Sequence, residues 1–129
     1  MRNALLSSFI LLAACATDGQ NATGPRITIE ELAERIQDGA APAILDVRSK
    51  GEFDDGHIPG AIHIPYGDLS KRLSELPVKQ DGELVVYCKS GLRAGWAEKT
   101  LSEAGYINVR DLKGQWKAWQ AADHPSEKP

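Results

Sequence analysis

The chain has 129 residues, with 15 Lys and Arg against 18 Asp and Glu and a formal charge of −3. That is the length of a single domain, enough to bury a core without disulfide support. No basic run or basic face emerges, which excludes a nucleic-acid-binding reading, and no His, Cys, Asp and Glu cluster has metal-ligand spacing.

Met1-Arg2-Asn3 puts a positive charge ahead of Ala4–Ala14, a run that is apolar except for Ser7 and Ser8. A spanning helix needs about 20 apolar residues. This shorter run suits the apolar region of a signal peptide, residues 1–14. Leu12-Ala13-Ala14-Cys15 resembles a bacterial lipobox. The resemblance implies cleavage before Cys15 and lipid on its sulfur and new amino group. It also implies attachment to the periplasmic side of a membrane. Ala16 rather than Asp follows the cysteine, so the outer membrane is expected over the inner. Residues 15–25 then read as the lipidated Cys15 and a flexible tether of Asp, Gly, Gln, Asn, Thr and Pro. Cys88 becomes one unpaired thiol in an oxidising compartment, which favours a reactive role.

The folded part reads as residues 26–122. Thr28-Ile29-Glu30-Glu31 predicts a capped helix start, and Ile29, Leu32, Ala33 and Ile36 share one face before Gly39. Ala43–Val47 predicts a strand, Ser49–Glu52 a second capping box and short helix, and Ala61–Ile64 a strand. Leu69, Leu73 and Leu76 predict a helix. Leu84–Tyr87 predicts a strand, Ala94–Ala104 a helix with Gly105 behind it, Val109–Leu112 a strand and Gln115–Ala122 a helix. Residues 123–129 read as a frayed polar tail. The alternation gives an α/β domain, a mostly parallel central sheet flanked by helices. Ligands of such sheets gather at the carboxyl ends of strands. Asp46, Arg48 and Cys88 fall there.

Cys88 ends a strand and is followed by Lys89-Ser90-Gly91-Leu92-Arg93, so the thiol lies in a strand–loop–helix turn. Backbone N–H groups and the positive end of the helix dipole converge on it. With Lys89 and Arg93 they favour the nucleophilic thiolate. A free cysteine is often a small core residue, but a polar, Gly-containing turn does not normally follow one. Asp46 and Arg48 can brace the loops as an ion pair or contact substrate. His57 suits a turn-stabilising hydrogen bond, and His63 a structural or exposed position. Trp116 and Trp119 share a helical face and read as core; Trp96 reads as core or as a wall of the site.

These segments resemble the rhodanese family of sulfurtransferases. Leu45-Asp46-Val47-Arg48 is similar to its first strand and Asp-x-Arg signature. Phe53-Asp54-Asp55-Gly56-His57-Ile58-Pro59-Gly60-Ala61 is similar to its Gly-His-Ile-Pro-Gly-Ala segment. Val85 to Ala94 is similar to the active loop of single-domain members, and Asp111-Leu112-Lys113-Gly114 with Trp116 and Trp119 to the closing strand and helix. The resemblance implies that Cys88 takes a sulfane sulfur from a small donor, such as thiosulfate or a persulfide, and passes it to a thiol or to cyanide. It implies no cofactor beyond the covalent persulfide on Cys88. No metal and a monomer are expected. Loop N–H groups would hold the outer sulfur, and Gly91 lets the backbone curl.

Phosphatases on the same fold use Cys-x5-Arg, whereas Cys88 and Arg93 are spaced Cys-x4-Arg, a cradle narrowed toward a single sulfur. No second cysteine lies near for Cys-x-x-Cys redox exchange. A non-catalytic binding or sulfur-sensing module on the same fold is the alternative reading. Ser90 and Glu52 stand where thiosulfate-preferring members often carry basic residues, and the closing Gly-Gly is here Gly114-Gln115. Weaker attraction for an anionic donor is expected.

Overall fold

The computed structural model describes residues 21–129. The apolar run, Cys15 and the first part of the tether lie outside the described residues. Four parallel strands, β1 (Ala43–Asp46), β2 (Ile62–His63), β3 (Leu84–Tyr87) and β4 (Val109–Asp111), form a sheet in the order β2-β1-β3-β4. Helices α1 (Ile29–Gln37), α2 (Lys50–Asp55), α3 (Leu92–Glu103) and α4 (Gln115–Ala121) connect and cover it.

Alternation along the strands builds two core layers, because successive side chains of a strand point to opposite faces. Leu45, Leu84 and Val86 pack with Ala94, Ala97 and Leu101 of α3. Ile44, Val85 and Tyr87 pack with Ile29 and Leu32 of α1 and with Trp116 and Trp119 of α4. Each fully buried Leu or Ile contributes about 1.5–3 kcal/mol relative to exposure. The strand order reverses direction between β1 and β3, so the crevice at their carboxyl ends is the topological switch point where such sheets bind ligands.

Several expectations give way to tertiary structure. Leu69, Leu73 and Leu76 do not share one helix. Two 3₁₀ turns, Tyr66–Lys71 and Leu73–Glu75, carry Leu69 and Leu73, and Leu76 caps the second. Pro77 steers Leu76 to extended backbone (φ −67°, ψ 134°), while Leu69 and Leu76 still reach the core. The tether is not free to its end. The Gly24 N–H donates to the Val109 carbonyl at 2.8 Å, Thr23 exchanges hydrogen bonds with Tyr106 and Val109, and Ile27 pairs in parallel with Leu112. Residues 23–27 are thus tied to β4 and Leu112 by hydrogen bonds and one isolated bridge.

The C-terminal tail is not frayed either. Glu127 and His57 exchange backbone hydrogen bonds at 3.0 Å, Glu127 Oε1 accepts from the Gly60 N–H, and Trp119 Nε1 donates to the Pro125 carbonyl. A polar composition marks a segment with little to bury, but backbone pairing needs no apolar side chain. Trp96, read as core or site wall, is exposed and packs on Tyr66 with ring centroids 5.1 Å apart.

Candidate active site

Two strand-to-helix turns meet at the switch point. The first runs from β1 into α2. Asp46, fully buried, accepts from Arg48 Nε at 3.0 Å and Nη2 at 2.7 Å, from the Arg48 N–H, and from the Tyr87 hydroxyl at 2.7 Å. Arg48 also donates to the Gly56 carbonyl at 2.7 Å and lies 4.5 Å over the Trp116 ring. Burial and the neighbouring Asp46 push the Tyr87 phenol well above its usual range, so it stays a donor to Asp46. Its oxygen accepts from the Ile58 N–H, tying the segment after α2 to β3. Of the two roles open to Asp46 and Arg48, these bonds describe the brace.

Ser49 caps α2 in a reciprocal capping box with Glu52. The same Glu52 reaches across to Arg93 on α3 in a bidentate pair, at 2.6 and 3.0 Å. The Arg93 hydrogen bonds, then those from Ser49, hold the Glu52 carboxyl down at about 2 against a burial penalty that opposes them. Arg93 is therefore charged but neutralised. Sequence reasoning counted Arg93 with Lys89 as a cation favouring the thiolate, and the partner it lacked was Glu52, which is 41 residues away.

The second turn runs from β3 into α3. The β3 alternation continues into Cys88, which joins Leu84 and Val86 in the α3-facing layer and is buried beneath its own loop. Lys89, Ser90 and Leu92 are exposed above it. The Gly91 N–H donates to Cys88 Sγ at 3.0 Å. Gly91 adopts φ +118° as it starts the twelve-residue α3, a conformation that side chains rarely take. The sulfur therefore sits at a helix N-terminus with a main-chain donor on it. A cleft of about 200 Å³ opens beside the loop, lined by Arg48, Glu52, Asp55, Gly56, Lys89, Trp116 and Gln120. Lys89 is the exposed cation at its rim.

His57 and His63 take structural places. His57 Nδ1 lies 2.9 Å from the Phe53 carbonyl, and His63 Nε2 lies 2.7 Å from the Arg48 carbonyl. Both rings stack on Phe53. Trp116 and Trp119 are buried as expected. Sequence reasoning did not single out Tyr87 or Gln115 as site residues. Gln115 Oε1 accepts from the Cys88 N–H at 2.9 Å. Its one sequence signal was a Gln in place of the second closing Gly. Tyr87 gave none, because a strand tyrosine before a buried turn reads as core.

A parallel α/β sheet with a thiol cradled at the carboxyl end of a central strand defines the class. The Rhodanese-like domain family matches residues 28–122, and the chain belongs to that family. A sulfurtransferase of Allochromatium vinosum is 36% identical over 93 residues, covering 72% of this chain and 85% of that protein. The putative sulfur carrier protein YrkF of Bacillus subtilis is 33% identical over 95 residues, which cover 74% of this chain but 50% of the relative. The chain thus spans about half the length of that relative. Among solved structures, the Alr3790 protein of Anabaena sp. superposes with a TM-score of 0.73 at 34% identity, covering 80% of this chain and 82% of that one. Family and relatives together support sulfur transfer in general.

Proposed function

We propose that this chain moves a sulfane sulfur through a Cys88 persulfide to a thiophilic acceptor. The Cys88 thiolate attacks the outer sulfur of the donor. A sulfur–sulfur bond forms, and the bond from that sulfur to the rest of the donor breaks. The leaving group departs with the electron pair, as sulfite when the donor is thiosulfate. In the second step a thiolate or cyanide attacks the outer sulfur of the persulfide, and the Cys88 thiolate leaves. No external oxidant or reductant is required.

The observation that carries this reading is the Gly91 N–H on Cys88 Sγ at 3.0 Å, at the start of α3. Main-chain donors fixed around a sulfur stabilise the charge that develops on it without reorganising. The Glu52–Arg93 pair removes one free cation from the mouth, which weakens the pull on a dianionic donor and favours a persulfide donor over thiosulfate. Intact-mass measurement after treatment with thiosulfate, and separately with glutathione persulfide, tests the reading. A gain of one sulfur atom, reversed by cyanide, is expected. No gain with either donor overturns it.

The Leu12-Ala13-Ala14-Cys15 sequence supports a lipid anchor that delivers this chemistry to a membrane surface. Each buried CH₂ contributes about 0.8 kcal/mol, so several acyl chains hold where one does not. The wild type should stay with membranes through a carbonate wash, and Cys15→Ser should not acquire lipid. Recovery of unlipidated wild-type chain with Met1 retained would sink the anchor.

A further inference from the structure

Gln115 sits where a side chain is unfavourable. Its φ is +59°, in the left-handed region, and it follows Gly114 at φ +80°. Gly114 cannot be replaced, since a Cβ there would come 2.4 Å from Ala118 Cβ. No such collision forces glycine at 115. A non-glycine residue held in this conformation costs free energy, and such costs persist where surrounding contacts over-determine them, often at functional sites.

The contacts here are specific. Gln115 is buried, and its carboxamide makes three hydrogen bonds. Oε1 accepts from the Cys88 N–H at 2.9 Å, while Nε2 donates to Asp111 Oδ1 at 3.0 Å and to the Leu112 carbonyl at 2.7 Å. With Nε2 facing two acceptors and Oε1 facing an N–H, the amide has one consistent orientation.

Asp111 is fixed in turn. Arg26 donates to its Oδ2 at 3.0 Å. The Glu98 carboxyl, wholly buried on α3, receives no hydrogen bond on either oxygen. Burial first, then the charge of Asp111, push Glu98 up to about 9, so it keeps its proton at neutral pH. From α4, the Trp116 N–H donates to the Cys88 carbonyl at 3.0 Å and the Lys117 N–H to the Lys89 carbonyl at 3.2 Å. The Gln115 side chain also lies beneath Gly91, 3.9 Å from where a Cβ would stand.

We propose that Gln115 is a positioning residue of the sulfur-transfer site: its carboxamide ties the Cys88 N–H to the Asp111 carboxylate and so fixes the start of the loop in the orientation from which the Gly91 N–H reaches Sγ. This rests on the sulfur-transfer reading for its catalytic readout. Gln115 touches neither Sγ nor substrate; it acts through the main chain of Cys88. The closing segment of the domain thereby sets the geometry of a nucleophile 27 residues earlier.

Two variants of the full chain test this. Gln115→Met keeps the side-chain length and the backbone cost but deletes all three hydrogen bonds. Gln115→Gly deletes them and relieves the backbone. In a thiosulfate–cyanide assay kcat should fall about tenfold in both, the loss expected for one positioned hydrogen bond, with KM for thiosulfate changed less than about twofold. The rate of Cys88 alkylation by iodoacetamide should change with kcat, and hydrogen exchange at the Cys88 amide should lose its protection. If both variants fold and keep kcat and alkylation within about twofold of wild type, the proposal fails. A loss carried by KM instead also overturns it. If neither variant folds, exchange in the wild type decides: a Cys88 amide exchanging as fast as that of exposed Lys89 overturns the tie. A wild type that turns over neither thiosulfate nor glutathione persulfide would defeat the sulfur-transfer reading, while alkylation and exchange would still decide the role of Gln115.

Discussion

The turns after β1 and after β3 lie side by side, paired in register at Asp46 and Tyr87, yet they solve opposite problems. The β1 turn is saturated with side-chain charge. Asp46, Arg48 and the Tyr87 hydroxyl satisfy one another away from water, leaving nothing to react. The β3 turn carries its polarity in the backbone: the Gly91 N–H faces a sulfur and the helix N-terminus lies beneath it. Paired side chains make a rigid brace because a buried charge is tolerated only with its partner. Main-chain donors make a cradle because they can serve an atom that arrives later. The Glu52–Arg93 pair joins the two turns and keeps the one loop arginine from acting as a free cation.

The sharpest way to break this comparison is at the sulfur. Cys88→Ser should lower sulfur transfer by at least about 10³-fold with the fold retained, since the hydroxyl fits the same space but is far less acidic. Thermal unfolding measured alongside cyanide–thiosulfate activity checks both halves, and near-wild-type turnover would refute the assignment of Cys88.

Striking the brace should instead cost stability. Asp46→Ala leaves Arg48 and the Tyr87 hydroxyl buried without their acceptor, a loss of about 3–5 kcal/mol. Urea denaturation should show a lowered midpoint. A change below about 1 kcal/mol would mean that the pair is dispensable as a brace.

Gly91→Ala probes the cradle by conformation alone. The added methyl meets no clash, so the φ of +118° is the whole penalty, of order 1–3 kcal/mol. If the loop relaxes to relieve it, Gly91 N–H swings away from Sγ and turnover drops about tenfold. Stability loss with unchanged kcat would show that this donor does not contribute to catalysis.

The smallest effect is expected at the bridge. Glu52→Gln frees Arg93 and should lower KM for thiosulfate by a few-fold, about 0.5–1 kcal/mol for a partly exposed pair. The folded-state carboxyl is held near 2, below its ordinary value of 4.5, so the pair stabilises the fold above about pH 4.5. That contribution disappears as pH falls through 2. The variant should lack this part of the acid dependence in pH-resolved unfolding. A KM that does not fall would show that Arg93 exerts no pull on the donor.

Local patterns carried much of the fold. Thr28 and Ser49 cap their helices because a hydroxyl satisfies an orphan N–H within three residues. Leu84–Tyr87 forms a strand, as an apolar run ending in a polar turn should. Cys88 is placed by the same local grammar, since strand, glycine and helix are each readable within a few residues. Where the sequence misled, a distant partner intervened. The tail docks because His57 offers its backbone to Glu127, and Trp96 packs on Tyr66 at the surface rather than in the core.

The sequence alone determined the order of elements, the parallel α/β class and the position of the thiol, because periodicity, caps and turn residues act over a few positions. Only the tertiary structure decided what surrounds that thiol. Arg93 is quenched by Glu52, Arg48 is locked by Asp46, and the Cys88 amide is held by Gln115. Two of these three pairings join residues far apart in the chain. All three depend on buried geometry, where a charge or an amide must find its partner within about 3 Å or incur the full cost of desolvation.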